Sequence, residues 1–216
     1  MRARSLAFAV VLVAIAPIAA RADHGALTLE LSPALTWWPS MEPAVGSGPG
    51  VSGTTAGGLA GVRYALRNDV ELTASGFYEV PATFTNPGTT VTTDAGPFTG
   101  TLTATTTRWG ALFGARWVHG LVWRWFVGGE IGWAQQSFTK LDLINVSDPA
   151  NPHSYGLGLA DRTRASFVLS PLAGVEWQLA DHWNVAVTPR VQVMLGGVGR
   201  VAVVLPLSVG YSWYGL

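Results

Sequence analysis

The residues best suited to chemistry in this sequence are charged side chains set within strongly apolar segments. In residues 121–133, LVWRWFVGGEIGW, Arg124 and Glu130 are six positions apart among three tryptophans. Two other segments carry a charge pair with an even spacing, Glu71/Glu79 and Arg108/Arg116. Even spacing places both members of a pair on one face of a β-strand. These charges could therefore form ion pairs in a shared polar interior. They would either fill that interior or line a narrow path through it.

Nucleophilic and metal chemistry have weaker support. The chain has no cysteine, and none of its histidines, His24, His119, His153 and His182, is paired with another at metal-ligand spacing. His153-Ser154 is adjacent, but its segment, PANPHSYG, is typical of a solvated loop. Asp142, Asp148 and Asp161 could offer oxygen ligands to calcium, although loop solvation explains them more simply. We predict no catalytic residue, cofactor or metal site, and no enzyme.

Composition and the first residues indicate an exported protein. Charged residues make up 12% of the 216 residues, about half the usual fraction, and the net charge of +0 gives no indication of a nucleic-acid partner. Arg2 and Arg4 precede an apolar run over residues 6–19, and Ala-Arg-Ala ends at residue 22. This layout predicts a cleaved signal peptide at 1–22 and a single domain at 23–216. After Asp23 no uncharged apolar run is long enough for a membrane-spanning helix.

Hydrophobicity in the remaining chain alternates with a period of two, which predicts β-strands. Eight segments show this pattern: 27–38, 58–66, 69–80, 104–118, 121–133, 164–179, 183–195 and 200–213. Turns of about three residues are predicted near Asn68, Gly120 and Asp181. Long loops rich in Gly, Pro and Thr are predicted at 39–57, 81–103 and 140–163, and a brief one near 195–199. Short turns at one end and long loops at the other are typical of an up-and-down transmembrane β-barrel.

The apolar faces carry aromatic residues at both ends, which predicts that they point outward to lipid. Trp109 and Trp117 are eight residues apart, and Trp123 and Trp133 are ten apart. At about 3.3 Å per residue and a tilt near 40°, these spacings span roughly 20–25 Å, the height of an outer-membrane apolar band. Neither face is charged enough to coat a soluble barrel. The predicted aromatic girdle comprises Trp37, Tyr64, Tyr78, Trp109, Trp117, Trp123, Trp133, Trp177, Trp183, Tyr211 and Trp213.

The polar faces would then enclose an interior that side chains just fill. Unpaired charges there would be costly, so opposite signs should balance. The predicted interior network has five acids and five bases: Glu30, Glu71, Glu79, Glu130 and Glu176 with Arg63, Arg108, Arg116, Arg124 and Arg190. Arg116 and Arg124 are expected nearly opposite each other across the turn at Gly120. Two adjacent guanidinium groups need acids, and Glu71 and Glu176 are expected at a similar depth.

These features resemble the small eight-stranded outer-membrane β-barrel proteins, the class of the OmpA membrane domain, OmpX, OmpW and the opacity proteins. The resemblance covers roughly residues 26–216 and is architectural. It implies an all-β fold, an outer-membrane location in a Gram-negative bacterium and a monomer. Its implied partners are membrane lipids, lipopolysaccharide and the assembly machinery. Such barrels usually end on an aromatic residue, whereas Trp213 and Tyr214 here precede Gly215-Leu216.

Three function classes remain open on this basis. The first is a structural or surface-interaction role through the long loops, with the Arg/Glu network filling the interior. The second is a narrow pore for small solutes, in which the same network lines a path. The third is a lipid A-modifying enzyme, because deacylases and palmitoyltransferases occur on this fold. A deacylase would require His and Ser close together on a lipid-facing strand, which this sequence does not predict.

Overall fold

The computed structural model describes residues 24–94, 96–145, 155–196 and 199–214. These residues form ten β-strands: β1 (Leu27–Met41), β2 (Val51–Arg67), β3 (Val70–Thr93), β4 (Gly96–Gly120), β5 (Trp123–Asn145), β6 (Tyr155–Leu159), β7 (Arg162–Gln178), β8 (Trp183–Val187), β9 (Arg190–Leu195) and β10 (Val201–Trp213). Within the described ranges, no helix has the length and apolar character needed to cross a membrane.

The ten strands occupy eight positions of one closed antiparallel ring. Strands β6 and β7 both pair with β5, and β8 and β9 both lie between β7 and β10. The ring closes between the first and last strands, with Leu27 opposite Trp213 and Trp37 opposite Val203. The predicted fold class, an eight-stranded antiparallel up-and-down barrel, is confirmed. Closure leaves the wall without a free edge around the ring, so its backbone groups are paired internally.

The break between β8 and β9 falls at Thr188-Pro189. Proline has no backbone N–H and cannot donate to the ladder at this point. The wall nevertheless stays joined, because the Ala173 N–H donates to the Pro189 carbonyl at 3.2 Å and the Thr188 N–H donates to the Pro206 carbonyl at 3.3 Å. The interruption therefore divides one wall position into two strands without opening the barrel.

The outer surface of the barrel is strongly apolar. Leu31, Phe113 and Ile131 are 68%, 59% and 55% exposed, and they lie on the same outward face as many other large apolar side chains. A contiguous exposed surface of this kind is unusual for a protein in water. It suits a barrel whose outward face contacts lipid hydrocarbon.

The prediction of a long loop at 81–103 is wrong. Strand β3 continues to Thr93 and β4 begins at Gly96, so this segment is a two-stranded hairpin with a positive φ of 115° at Gly96. Threonine is β-branched and favours strands, which outweighs the turn-forming Gly and Pro residues nearby. At about 3.3 Å per residue and a tilt near 40°, the segment from Trp109 back to Gly96 rises roughly 30 Å beyond the aromatic residues.

The predicted loop at 140–163 is also shorter than expected. Strand β5 reaches Asn145, and β6 pairs with it from Leu141↔Leu159 to Asn145↔Tyr155. We call the sheet formed by residues 81–94, 96–107, 134–145 and 155–159 the extension. It continues about half of the barrel wall upward, whereas β1 ends at Met41 and β10 begins at Val201.

Candidate functional site

The barrel interior holds all ten charged residues predicted for it. Nine of them are buried, and Glu30 has a side chain that is 17% exposed. Each arginine lies in an ion pair with at least one of the five glutamates. The strands alternate inward and outward residues, so a charge on the inner face of β5 points at charges on strands across the ring. The interior therefore has equal numbers of positive and negative side chains, and each arginine is in contact with a glutamate.

Five of these residues form one cluster near the short turns. Glu176 accepts hydrogen bonds from Arg63 Nη1 at 2.6 Å, Arg124 Nη1 at 2.7 Å and Arg116 Nη2 at 2.9 Å. Glu71 pairs with the same three guanidinium groups, with Arg116 Nε at 2.8 Å and Arg63 Nη1 at 3.1 Å. Glu30 adds an ion pair to Arg63 Nε at 3.1 Å. Two buried carboxylates thus hold three arginines, with a third acid at the border.

The prediction that Arg116 and Arg124 lie nearly opposite each other is wrong. The hairpin pairs Gly120 with Arg124, which places Arg116 opposite Gly128 and Arg124 beside Glu176 on β7. The turn is centred two residues later than predicted, and this shifts the register by four. Arg116 and Arg124 still share acids because their long side chains converge on Glu71 and Glu176.

Two separate ion pairs lie further along the barrel. Arg190 Nη1 donates to Glu130 Oε2 at 2.7 Å, and Thr73 Oγ1 donates to Glu130 Oε1 at 2.9 Å. Arg108 pairs with Glu79, whose other oxygen accepts a hydrogen bond from Thr55 Oγ1 at 3.2 Å. These buried charges satisfy the requirement that each one in a low-dielectric interior has a partner.

Above Arg108 the interior changes from charged to apolar. The Arg108 guanidinium lies 4.7 Å from the centre of the Trp38 ring and 4.9 Å from that of Phe77, within cation–π range. Beyond it, buried apolar side chains fill the end of the barrel and the inner side of the extension. They include Met41, Phe84, Leu102, Phe138, Leu141, Leu143, Val168 and Met194. The Arg/Glu network therefore occupies the interior near the short turns and at mid-height, and apolar side chains fill this end.

Trp38 is the residue that sequence reasoning missed most plainly. It is fully buried, whereas its neighbour Trp37 is 50% exposed on the outer face. Adjacent strand residues point to opposite faces, so one of the two tryptophans had to face inward. The alternation of Thr with Phe84, Leu102 and Ala104 carried the same signal for the extension.

Residues 42–50, which connect β1 and β2, fold over the apolar end as a cap. Ser47 and Thr90 exchange backbone hydrogen bonds of 3.0 and 2.8 Å, which ties the cap to β3. Asn86 Nδ2 donates to the carbonyls of Met41 at 2.9 Å and Pro49 at 3.3 Å. On the opposite wall, Arg164 Nη2 donates to the Ala44 carbonyl at 3.3 Å. The cap is thus held from both sides of the ring, with Ala44 and Val45 buried beneath it.

The spaces found among the charged residues are small. One has a volume of about 30 Å³ and is lined by Arg116, Glu130 and Arg190; another of about 20 Å³ is lined by Arg63, Glu71 and Arg124. A buried water molecule needs a cavity of roughly 10–15 Å³ and two to four polar partners, so each space suits about one water molecule. Neither of these spaces forms a channel through the described part of the barrel.

Aromatic side chains surround the outer surface at two levels. All eleven predicted girdle residues lie on this surface, and Trp125, which was not predicted, joins them. Near the turns, Trp123 stacks on Trp177 at 5.3 Å, and Trp117 meets Trp125 edge-on at 4.9 Å. Near the extension, Trp109 and Trp133 meet edge-on at 4.8 Å. Tryptophan and tyrosine favour the borders of a membrane because one end is apolar and the other can bind water.

The structure describes only some of the residues considered for catalysis or metal binding. His153, Ser154 and Asp148 lie outside the described residues. Within the described ranges, no group of three or more His, Cys, Asp or Glu side chains could hold a metal ion. His182 uses its Nδ1 in a hydrogen bond of 2.8 Å with the Ser212 backbone carbonyl. The polar chemistry of the described interior consists of ion pairs and of neutral hydrogen bonds such as that from Ser32 Oγ to Ser208 Oγ.

Comparisons with known proteins relate the chain to others by fold alone. No family model matches it, and no curated protein matches its sequence. Among solved structures, it is similar to Ail, the attachment invasion locus protein of Yersinia pestis, with 10% identity and a TM-score of 0.54 over 88% of this chain and 100% of that one. It is also similar to Neisserial surface protein A, with 14% identity and a TM-score of 0.50 over 87% and 98% of the two chains. The chain therefore has the fold of the small outer-membrane β-barrel proteins.

Proposed function

We propose that this chain is an integral outer-membrane protein whose sealed barrel carries the extension outside the cell as a surface for interaction. One observation carries the proposal: half of the wall continues roughly 30 Å beyond the upper aromatic residues, while the interior below is closed. The barrel acts as the anchor, and the extension supplies exposed surface beyond it.

Support for a membrane location comes from the outer surface. Its apolar residues form a band that ends in aromatic residues at both levels, and the band is interrupted by few polar side chains. In lipid this arrangement is favourable, whereas in water the same surface would promote association. The fold shared with outer-membrane proteins such as Ail agrees with this location.

The filled interior argues against the pore alternative. A solute would have to pass the cap at residues 42–50, the buried Trp38 and the cluster around Glu176. Each barrier is held by several contacts, and opening the cluster would leave charges unpaired in a low-dielectric interior. We therefore assign the chain a sealed barrel.

The ligand chemistry of the fold relatives does not transfer directly to this chain. Ail has been solved in complex with the heparin analogue sucrose octasulfate, a polyanion, at 11% identity to this chain. Around the extension and cap, the described bases Lys140, Arg162, Arg164 and Arg200 are matched by the acids Glu42, Asp94, Asp142 and Asp161. Such a balance gives no strong positive field for a polyanion.

The location and orientation can be tested through Lys140, the single lysine of the sequence. It is exposed near the top of β5, with a positive φ of 53°. A membrane-impermeant amine reagent applied to intact cells should label this residue, and the Lys140→Arg variant should stay unlabelled. Labelling of Lys140 only after the cells are broken would place the extension on the wrong side of the membrane and contradict the proposal.

The role of the extension needs a second experiment. Replacing residues 92–97 by Asn-Gly shortens the β3–β4 hairpin beyond the pair Val91↔Phe98, and it keeps Thr90, which ties the cap to β3. Cells that display this variant should attach less to surfaces coated with envelope polysaccharide, glycolipid or protein than cells with the full chain. The purified full chain should not conduct ions in planar bilayers. Steady conductance by the full chain, with unchanged attachment by the shortened form, would favour the pore instead.

A further inference from the structure

Four prolines lie in four neighbouring positions of the barrel wall. Taken in wall order, each is within two residues of the position opposite the next, so that together they cross the wall as one line. We call this line the seam: Pro171 on β7, Pro189 between β8 and β9, Pro206 on β10 and Pro33 on β1. Proline donates no backbone hydrogen bond and is usually confined to edge strands and bulges, whereas a closed ring has no edge. The seam is therefore a feature that the fold itself does not require.

Pairing between the strands is interrupted along the seam. Two backbone hydrogen bonds are made there, from the Ala173 N–H to the Pro189 carbonyl at 3.2 Å and from the Thr188 N–H to the Pro206 carbonyl at 3.3 Å. Both are longer than the usual 2.9–3.0 Å or so. The ladder of β4 with β5, by contrast, is unbroken over residues 105–120. Three neighbouring ladders of the described wall each skip two residues at the seam: Ser170 and Pro171 toward β9, Leu205 and Pro206 toward β8 and β9, and Ser32 and Pro33 toward β10.

The outer side of the seam offers no replacement for the missing donors. Pro33, Pro171 and Pro189 are exposed on the outer surface. Pro171 pairs with Gly129, which lies between the two levels of aromatic residues on β5. Lipid hydrocarbon at this height makes no hydrogen bonds to a backbone carbonyl. Any substitute donor must therefore come from inside the barrel.

The inner side of the seam is polar. Each outward proline directly follows a buried hydroxyl residue, Ser32, Ser170 or Thr188. Ser32 donates a hydrogen bond to Ser208 at 2.8 Å, whereas Ser170 Oγ has no partner among the described residues. The space of about 30 Å³, which suits one water molecule, is lined in part by Ser32, Thr188 and Ser208. Hydroxyl groups and water thus stand where ladder bonds are missing, and a hydroxyl group rotates to follow a moving acceptor.

The packing of the wall also changes at the seam. Below it, the ion pairs of the cluster join strands across the ring in fixed directions. Above it, Trp38, Val168 and Met194 belong to the apolar core, whose contacts have no preferred direction. The wall segments between the seam and the long-loop end are here called the upper panel: residues 34–41, 162–169, 191–195 and 201–205.

We propose that the seam is a hinge on which the upper panel moves relative to the rest of the barrel. The panel is joined to the cap, because Arg164 of β7 donates to the Ala44 carbonyl. The cap is joined to the extension by the backbone hydrogen bonds of Ser47 with Thr90. Movement at the seam therefore shifts the cap against the extension and changes the surface that the two present together. The hinge depends on the closed wall and not on what the extension binds.

Amide hydrogen exchange of the full chain in phospholipid nanodiscs, resolved by NMR, is the first test. The test amides are those of Ala173 and Thr188, which donate at the seam. The reference amides are those of Phe113 and Ile131, which are paired in the unbroken ladder of β4 and β5. We expect the test amides to exchange at least about tenfold faster than the reference amides, because fewer ladder bonds must open to expose them.

Restoring the missing donors should slow this exchange. The test variant replaces the three outward prolines of the seam: Pro33→Val, Pro171→Val and Pro189→Val. Exchange of the test amides should slow by about fivefold for each restored hydrogen bond. Pro189→Val alone should slow it about fivefold, so the result does not depend on the folding of the triple variant. The matched control is Pro39→Val, which removes an exposed proline of β1 outside the seam and should change the exchange by less than about twofold.

Movement of the upper panel is measured with spin labels on introduced cysteines, since the chain has none of its own. Leu195→Cys labels the panel at an exposed position of β9, and Thr107→Cys labels the extension. Double electron–electron resonance then gives the distribution of distances between the two labels. We expect a broad distribution with the prolines of the seam in place and a narrower one when the three outward prolines are replaced by valine.

Three results would each overturn the hinge. The first is exchange of the test amides that is as slow as that of the reference amides. The second is fast exchange that proline replacement leaves unchanged, because the missing donors would then not be its cause. The third is slowed exchange with the same distance distribution in both proteins, which would show local opening without movement of the panel. Loss of attachment by the shortened hairpin, or its absence, bears on the proposed function and leaves these three measurements unaffected.

Discussion

Removing the charge of Glu176 should destabilise the barrel more than any change to a charge at its rim. Its carboxylate accepts hydrogen bonds from Arg63, Arg116 and Arg124 and is 1% exposed. The Glu176→Gln variant keeps the shape of the side chain but leaves these arginines with Glu71 as their shared acid. Breaking a buried ion pair costs about 3–5 kcal/mol, and coupling to three guanidinium groups places this change near the upper value.

The matched control is Glu42→Gln. Glu42 pairs with Arg200 at 3.3 Å, but the Glu42 and Arg200 side chains are 47% and 77% exposed. Exposed ion pairs add about 0–1 kcal/mol, so the control should unfold at nearly the urea concentration of the unmodified chain. Reversible urea unfolding from lipid vesicles gives the midpoints and slopes of all three proteins. Equal midpoints for the two variants would refute the assignment of Glu176 to a closed ionic cluster.

A double variant separates charge imbalance from simple loss of contacts. Adding Arg124→Met to Glu176→Gln removes one of the arginines left with too few acids. The double variant should therefore be more stable than Glu176→Gln alone by about 1 kcal/mol or more, a positive coupling between neighbours. Strictly additive losses would mean that the two side chains do not act through a common charge balance.

Other predictions follow from the height of a residue along the barrel and from the side of the wall that its side chain faces. Val127 lies on the lipid-facing side at mid-height, so Val127→Arg should lower the free energy of unfolding by about 2–4 kcal/mol and impair insertion. Thr105→Arg, on the same side of the wall but in the extension, should insert normally. The shift in gel migration between heated and unheated samples measures the folded fraction of each variant. Trp38→Ala should cost about 3–5 kcal/mol in urea unfolding, more than Trp37→Ala, yet bilayer recordings should still show no conductance. N-terminal sequencing of the exported protein should begin at Asp23, and retention of Met1 would contradict signal cleavage.

The strands of the lipid-facing part of the barrel could be predicted because inward and outward positions there differ strongly in polarity. On β5, Val127, Ile131 and Trp133 point outward, and Arg124 and Glu130 point inward. That contrast recurs on each wall position and is a local property of the sequence. It is sufficient to define strand facing and the interior charges, since a period of two needs no knowledge of neighbouring strands.

The extension was not predicted because the difference in polarity between outward and inward residues reverses along the same strands. Below the aromatic border the outward residues of β4 are apolar, as at Phe113, and above it they are hydroxylated, as at Thr105. The inward residues change in the opposite sense, from Arg108 to Leu102. Lipid gives way to water outside, and ion pairs give way to an apolar core inside. A search for one fixed apolar face therefore ends at the border and leaves the remainder assigned as loop.

The cap and the exact ionic contacts depend on information that the local pattern does not contain. Asn86 reaches the carbonyl of Met41, 45 residues away, and Arg63 reaches Glu176, 113 residues away. Register errors compound across such distances, as the shift of Arg116 relative to Arg124 shows. The sequence predicts which charges face inward, but their partners follow only from the closed ring.

The long-range contacts of the ionic cluster have a consequence for how long the barrel persists. Arg63 on β2 and Glu176 on β7 belong to separate parts of the wall and meet only when the ring has closed between β1 and β10. Contacts made after the rate-limiting step of folding do little to accelerate folding, but they must be broken before the chain can escape the native state. The cluster should therefore slow unfolding. Its five buried charges should lengthen the lifetime of the inserted barrel and have little effect on the rate of assembly.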